Sequence, residues 1–194
     1  MQKERLIAFT DAVLAIIMTI LVLELEKPAE ASAAAFWELR WNFFAYALSF
    51  FWLGSLWVGL NSIWEKVQKI SSAVVWWNMG LLFAASLIPY ATSLVSVDFH
   101  SRVMQGFYGG VVIVMTTVNY ILHKVLDYPN RDAPELLSAT AAYRSLLLPD
   151  IGIKIAGLVI ALAAWPPAMM FSVLLAAVFI LTGKHFTEQR QRTE

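Results

Sequence analysis

Residues 5–25, RLIAFTDAVLAIIMTILVLEL, make an apolar run long enough to cross a bilayer, yet the run carries Asp11 with Thr10 beside it. A helix needs about 20 mostly apolar residues to span the hydrocarbon. An ionisable side chain at that depth costs about 2.5–3.5 kcal/mol on insertion scales, so it is kept for a task or held by a partner. Twelve residues follow, Ala12 to Leu23, of which only Thr19 is polar. A polar entrance leading to an apolar shaft is the feature that any fold for this chain must accommodate. In lipid, the backbone must satisfy its own hydrogen bonds, which leaves helices or a closed barrel.

The run repeats along the chain. Candidate spans fall at 5–25, 38–61, 73–96, 103–125, 146–165 and 168–186. Hydrophobic residues make up 59% of the sequence, against roughly 45–50% in soluble domains. The expected fold is an all-α integral membrane protein with six transmembrane helices. Little chain remains outside the spans, so residues 1–194 read as one six-helix domain. The first run is too long for a signal-peptide core, and no small-residue cleavage site follows Leu25, so it reads as a permanent span.

With six spans both ends lie on one side. That side would hold Lys3, Arg5, Lys66, Lys69, Lys124, Arg131, Arg144, Lys184, Arg190 and Arg192. The other would hold Lys27, Arg40 and Arg102. The excess of positive charge places both termini in the cytoplasm. Lys154 is left inside the fifth span, four residues after Asp150, as an i,i+4 pair that eases the burial of both.

Other landmarks follow from composition. Trp41 and Trp64 mark the two ends of span two, as an interfacial belt requires. Pro89 should kink span three. Gly106, Gly109 and Gly110 should let span four approach its neighbours. The polar stretch from Asp127 to Tyr143 reads as a loop with a partial helix. Trp165-Pro166-Pro167 reads as a tight hairpin. The charged tail after Lys184 is expected to fray. His100, His123 and His185 are scattered without metal-ligand spacing and read as surface residues. There is no cysteine, no HExxH and no GxSxG, so neither enzyme chemistry nor a metal or cofactor site is expected. No nucleic-acid partner is expected of a chain with zero net charge.

Residues on a helix turn by roughly 100° each. Phe9, Ala12, Ile16, Thr19 and Leu23 therefore share one stripe of the first span. Asp11 lies about 140° from Ile16 by that rotation, towards the helices of its own subunit. Its candidate partners are Asn78, Asn61 and the Trp57 indole. Asp11 then reads as a structural clasp, with a proton or ion relay as the alternative. The stripe itself reads as lipid-facing, packed or pore-lining.

The string Arg5-x-x-x-Phe9-Thr10-Asp11-Ala12-Val13-x-Ala15-Ile16, running on to Thr19 and Leu23-x-Leu25, resembles the first-helix signature RxxxFSD of the transmembrane protein 175 potassium channel family. Trp57 followed by Asn61, Ile63 and Trp64 resembles the end of that family's second helix. Trp77-Asn78 with Ile88-Pro89-Tyr90 resembles its third. The second half of the chain is similar only in hydropathy. Thr10 stands for the usual Ser and keeps the hydroxyl. Asn61 stands for a usual His and replaces a titratable group with a neutral amide.

Animal members of the family are lysosomal with two six-helix repeats; bacterial members have one and resemble this chain in length. The resemblance implies a homotetramer in a bacterial inner membrane, passing K+ and other monovalent cations through a central pore lined by helix one. It implies a hydrophobic constriction at Ile16 and Leu23 in place of a TVGYG filter, and a selectivity hydroxyl ring at Thr19. Arg5, Phe9, Thr10, Asp11, Trp57, Asn61 and Asn78 would form the signature and its structural network. Glu24 and Glu26, at the far end of span one, could concentrate cations at the outer mouth. The expected activity is a potassium-permeable cation channel with modest preference for K+ over Na+. The alternative is a proton- or cation-coupled transporter using Asp11, or Asp150 with Lys154.

Overall fold

The computed structural model describes residues 2–193, with side chains placed through Ile180 and at Thr182. The described residues are helical throughout apart from short connections. In chain order they form α1 (Lys3–Leu23), α2 (Ala33–Glu38), α3 (Arg40–Trp64), α4 (Ser72–Ser86), α5 (Ile88–Val97), α6 (Arg102–Asp127), a 3-10 turn (Tyr128–Asn130), α7 (Pro134–Ala163) and α8 (Ala168–Thr193).

Five rods are long and apolar enough to cross a membrane: α1, α3, α4 with α5, α6 with its following turn, and α7. The sixth expected span falls on α8, whose described apolar stretch is Ala168–Ile180. Its remainder, with Lys184, His185, Arg190 and Arg192, lies outside the residues whose side chains are described. The α8 backbone stays helical to Thr193 rather than fraying after Lys184, in keeping with the helix-forming Glu, Gln and Arg of that tail.

Local chemistry sets the breaks. Pro89 has no N–H to return to Ala85, so the third rod divides there. The chain tightens just before it, with the Leu87 N–H bonding the Ala84 carbonyl at 3.3 Å. Ser32, Ser71 and Ser101 accept from the backbone N–H three residues on and start α2, α4 and α6. The stretch from Asp127 to Tyr143, read as a loop with a partial helix, holds the 3-10 turn and the first turns of α7, which begins at Pro134. Proline is favoured in the first helical turn, where its missing N–H has no intrahelical partner to lose, and Glu135 beside it suits the positive helix end.

The Asn130 side chain holds two connections at one end of the bundle in register. Its Oδ1 accepts from the N–H groups of Gln68 and Lys69 at 3.0 and 2.8 Å. Its Nδ2 donates to the carbonyls of Lys69 and Leu126 at 2.9 and 2.8 Å. One amide thereby ties the α3–α4 linker to the end of α6.

Close helix contacts rest on fewer glycines than expected, and on one more. A Cβ on Gly109 would meet Met169 Sδ at 2.6 Å, and one on Gly106 would meet Leu162 at 3.1 Å. Gly110 faces nothing within 4 Å, because it points away from the seam. The tightest approach is Gly157, where a Cβ would overlap Ser172 of α8. That seam closes the α7–α8 hairpin across Trp165-Pro166-Pro167.

Candidate pore face on the first helix

Burial divides α1 into two arcs. Leu6, Thr10, Leu14, Ile17 and Leu21 are buried against α3, α4 and α5. Phe9, Ala12, Ile16, Thr19 and Leu23 are exposed, with Ile16 at 58% and Leu23 at 79%. At roughly 100° per residue the buried arc centres about 140° from the stripe. Ala8, Ala15 and Ile20 widen the open arc on either side of it. The chain therefore leaves about half of α1 uncovered, and the stripe runs along the middle of that opening.

The flank of α1 next to α3 carries Asp11. Its Oδ1 accepts from the Trp57 indole N–H at 2.9 Å. Met18, two turns along the same flank, packs on Gly54 of α3, whose missing side chain leaves room. Asn78 does not reach Asp11. Its Nδ2 donates instead to Thr10 Oγ1 at 2.8 Å, and Thr10 passes its own proton to the Leu6 carbonyl at 2.8 Å. Thr10 is thus both donor and acceptor, a role a serine hydroxyl could fill equally. Asn61 is half-buried one turn beyond Trp57 on α3, and Arg5 is exposed near the start of α1.

Thr19 is exposed, and its hydroxyl donates to the Ile16 carbonyl at 2.8 Å. The proton is spent on the backbone, so the oxygen lone pairs point away from the helix, and the group offers an acceptor to a cation. Glu24 caps α1, Glu26 follows it, and no basic residue lies in the last turn. Carboxylates at the negative end of a helix dipole oppose it by about 0.3–1 kcal/mol each. Among the described residues, that end concentrates negative potential where the stripe ends.

Two ionisable clusters lie away from α1. Lys154 and Asp150 are fully buried, with Nζ 2.7 Å from Oδ2. Lys154 also donates to Thr116 Oγ1 at 2.9 Å and sits 4.9 Å over the Trp52 ring. Nearer the end of α6, Arg144 donates to Asp127 Oδ2 at 2.6 Å and to the His123 carbonyl at 3.1 Å. Contrary to the surface reading, His123 is fully buried. Its Nδ1 lies 2.7 Å from the Asn119 carbonyl and its ring stacks on Tyr143 at 4.7 Å. The signal was present in α6, where Gln105, Tyr108, Thr116, Asn119, His123 and Asp127 recur every three to eight residues on one face and turn it towards α5 and α7, with Tyr108 reaching Ser49 of α3.

Residues 5–89 match the family model described as the endosomal/lysosomal potassium channel TMEM175. A potassium channel of a Chryseobacterium species is 37% identical over 127 residues, covering 65% of this chain and 66% of that protein. One from Streptomyces collinus is 27% identical over 122 residues, 59% of each chain. One from Chamaesiphon minutus is 28% identical over 126 residues, 59% of this chain and 61% of that one. Each alignment spans less than two thirds of the relative's own length. In fold, the chain is similar to the crystal structure of a lysosomal potassium-selective channel TMEM175 homolog from Chamaesiphon minutus, with a TM-score of 0.73, 22% identity and coverage of 93% and 97% of the two chains. The signature helix lies inside the matched region, and these relatives are channels rather than enzymes. Over residues 5–89 this all-helical chain is thus similar to the TMEM175 family, and its fold is similar to that of a TMEM175 homolog.

Proposed function

We propose that this chain is the subunit of a homotetrameric, potassium-permeable cation channel whose pore is lined by α1. The observation that carries the reading is the open arc of α1, centred on Ile16, Thr19 and Leu23, while the opposite arc is packed inside the subunit. Four such arcs around a common axis would cover one another and leave a narrow central path. The relatives named as potassium channels and the fold likeness support the same assignment.

In this reading Ile16 and Leu23 form apolar rings. A ring of that kind dewets and stops hydrated ions until it widens. The Thr19 oxygens form an acceptor ring between them and replace part of an ion's water shell. K+ releases water more readily than Na+, so a partly dehydrating neck favours it, and so few oxygens give modest selectivity. Glu24 and Glu26 enrich cations at the outer mouth. Asp11 is a clasp held by Trp57, not a charge carrier, and Phe9, Arg5 and Asn61 belong to the scaffold around it.

We infer six membrane crossings from residues 1–194, α8 included, in a bacterial inner membrane. Both termini are cytoplasmic by the charge asymmetry of the connections. The test is flux from proteoliposomes. Ile16→Asn should raise K+ leak several-fold, and Thr19→Val should lower the K+ to Na+ preference. Unchanged flux and selectivity in both variants would remove α1 from the ion path.

A further inference from the structure

We infer that each subunit holds bound water at mid-membrane, in a chamber between α3, α6, α7 and α8 where Asp150 keeps one carboxylate oxygen for it. The chamber is lined by Ser55, Met115, Thr116, Asn119, Asp150 and Tyr143, whose hydroxyl is engaged with Asn119, and Ala177 and Ile180 border it on α8. It offers about 30 Å³ of space to water centres, and one water takes about 10–15 Å³ of such space. It lies apart from α1, whose buried face meets α3, α4 and α5.

The polar groups around it are satisfied except where they face the chamber. Lys154 gives its protons to Asp150 Oδ2 and Thr116 Oγ1 and turns towards the Trp52 ring. Thr116 gives its own to the Val112 carbonyl at 2.9 Å. Asp150 Oδ1 is buried with no hydrogen-bond donor, while Asn119 shares a side-chain hydrogen bond with Tyr143. A buried carboxylate is tolerated in an ion pair only when its remaining lone pairs are served. Ser55 cannot serve them, since its proton goes to the Phe51 carbonyl at 2.9 Å.

The missing ligand is therefore a small hydrogen-bond donor. Charge selects water over a cation. The Asp150–Lys154 pair is already neutral, and a bound cation would sit beside the Lys154 ammonium in a low-dielectric interior. An anion would meet the unserved carboxylate oxygen of Asp150. Water donates twice, accepts in return and adds no charge. The hydrated pair then fastens α7 to α6 at the depth where dry charges are costliest. It does not extend to a through-path, because the polar face of α6 is interrupted at the buried Val112.

X-ray radiolytic footprinting of the full chain in lipid nanodiscs tests this, because radicals form at bound water. Met115 borders the chamber at 1% exposure, while Met169 and Met170 are equally buried in α8 away from it. Met115 should oxidise several-fold faster than Met169 and Met170. Ala177→Leu fills the chamber from α8 without touching a polar group and should reduce the Met115 rate to that of the other two. Equal rates for the three methionines in the parent protein, or an unchanged Met115 rate in the filled variant, would show the chamber to be dry and overturn the inference.

Discussion

The Trp57 indole donates its proton to the Asp11 carboxylate across 2.9 Å, and that bond ties the flank of α1 to α3. With Asp11 turned to this flank, helical geometry leaves Ile16, Thr19 and Leu23 on the uncovered arc. On the proposed reading, the polar residue that makes α1 unusual in sequence works as a rotational stop.

Trp57→Phe keeps the ring and deletes the donor. Hydrogen bonds to charged groups contribute about 1.5–3 kcal/mol. The variant should lower the thermal midpoint, and Asp11→Asn, whose amide oxygen still accepts, should lower it less. Equal midpoints for Trp57→Phe and the parent chain would deny the bond a structural role.

Lys154 and Asp150 should behave as a unit. Removing one partner of a buried ion pair costs about 3–5 kcal/mol, whereas replacing both by apolar residues is often neutral. Lys154→Met or Asp150→Leu alone should cut the yield of folded protein sharply. The double variant should recover most of it and still conduct, since neither residue lines the α1 face. Loss of flux in a well-folded double variant would favour a transport role for the pair.

Gly157 is fixed by Ser172 rather than by backbone conformation, as no described glycine has a positive φ. Gly157→Ala should destabilise by about 1–3 kcal/mol, the usual cost of overpacking. Ser172→Gly in the same chain should restore most of the loss. A double-mutant cycle with no coupling would show that the two helices slide to make room.

The parts of this protein written with a helical period were legible from sequence. The stripe on α1, the i,i+4 spacing of Asp150 and Lys154, the kink at Pro89 and the hairpin at Trp165-Pro166-Pro167 all follow from local rules. Asp11 could be turned inward by rotation, but the choice of Trp57 over Asn78 depended on how α3 and α4 sit. What stayed hidden was set by distant contacts. Asn130 looks like a turn residue, yet it bonds Gln68 and Lys69, 62 and 61 positions away. Gly157 looks incidental until Ser172 is placed against it. His123 reads as a surface residue by its position near the end of a span, while α7 covers it. The start of α7 was obscured because Pro129 and Pro134 suggest a loop, although proline also opens helices.

The chain has no cysteine, so a single one placed on α1 reports its surroundings without background. Potassium current through Leu23→Cys channels, with a charged water-soluble thiol reagent applied at the outer side, tests the pore-lining arc most directly. A pore-lining α1 predicts rapid block that a cysteine at buried Leu14 does not show. Current that persists at Leu23→Cys, with that thiol reacting only with a lipid-soluble reagent, would place this face of α1 against the bilayer and contradict the channel assignment.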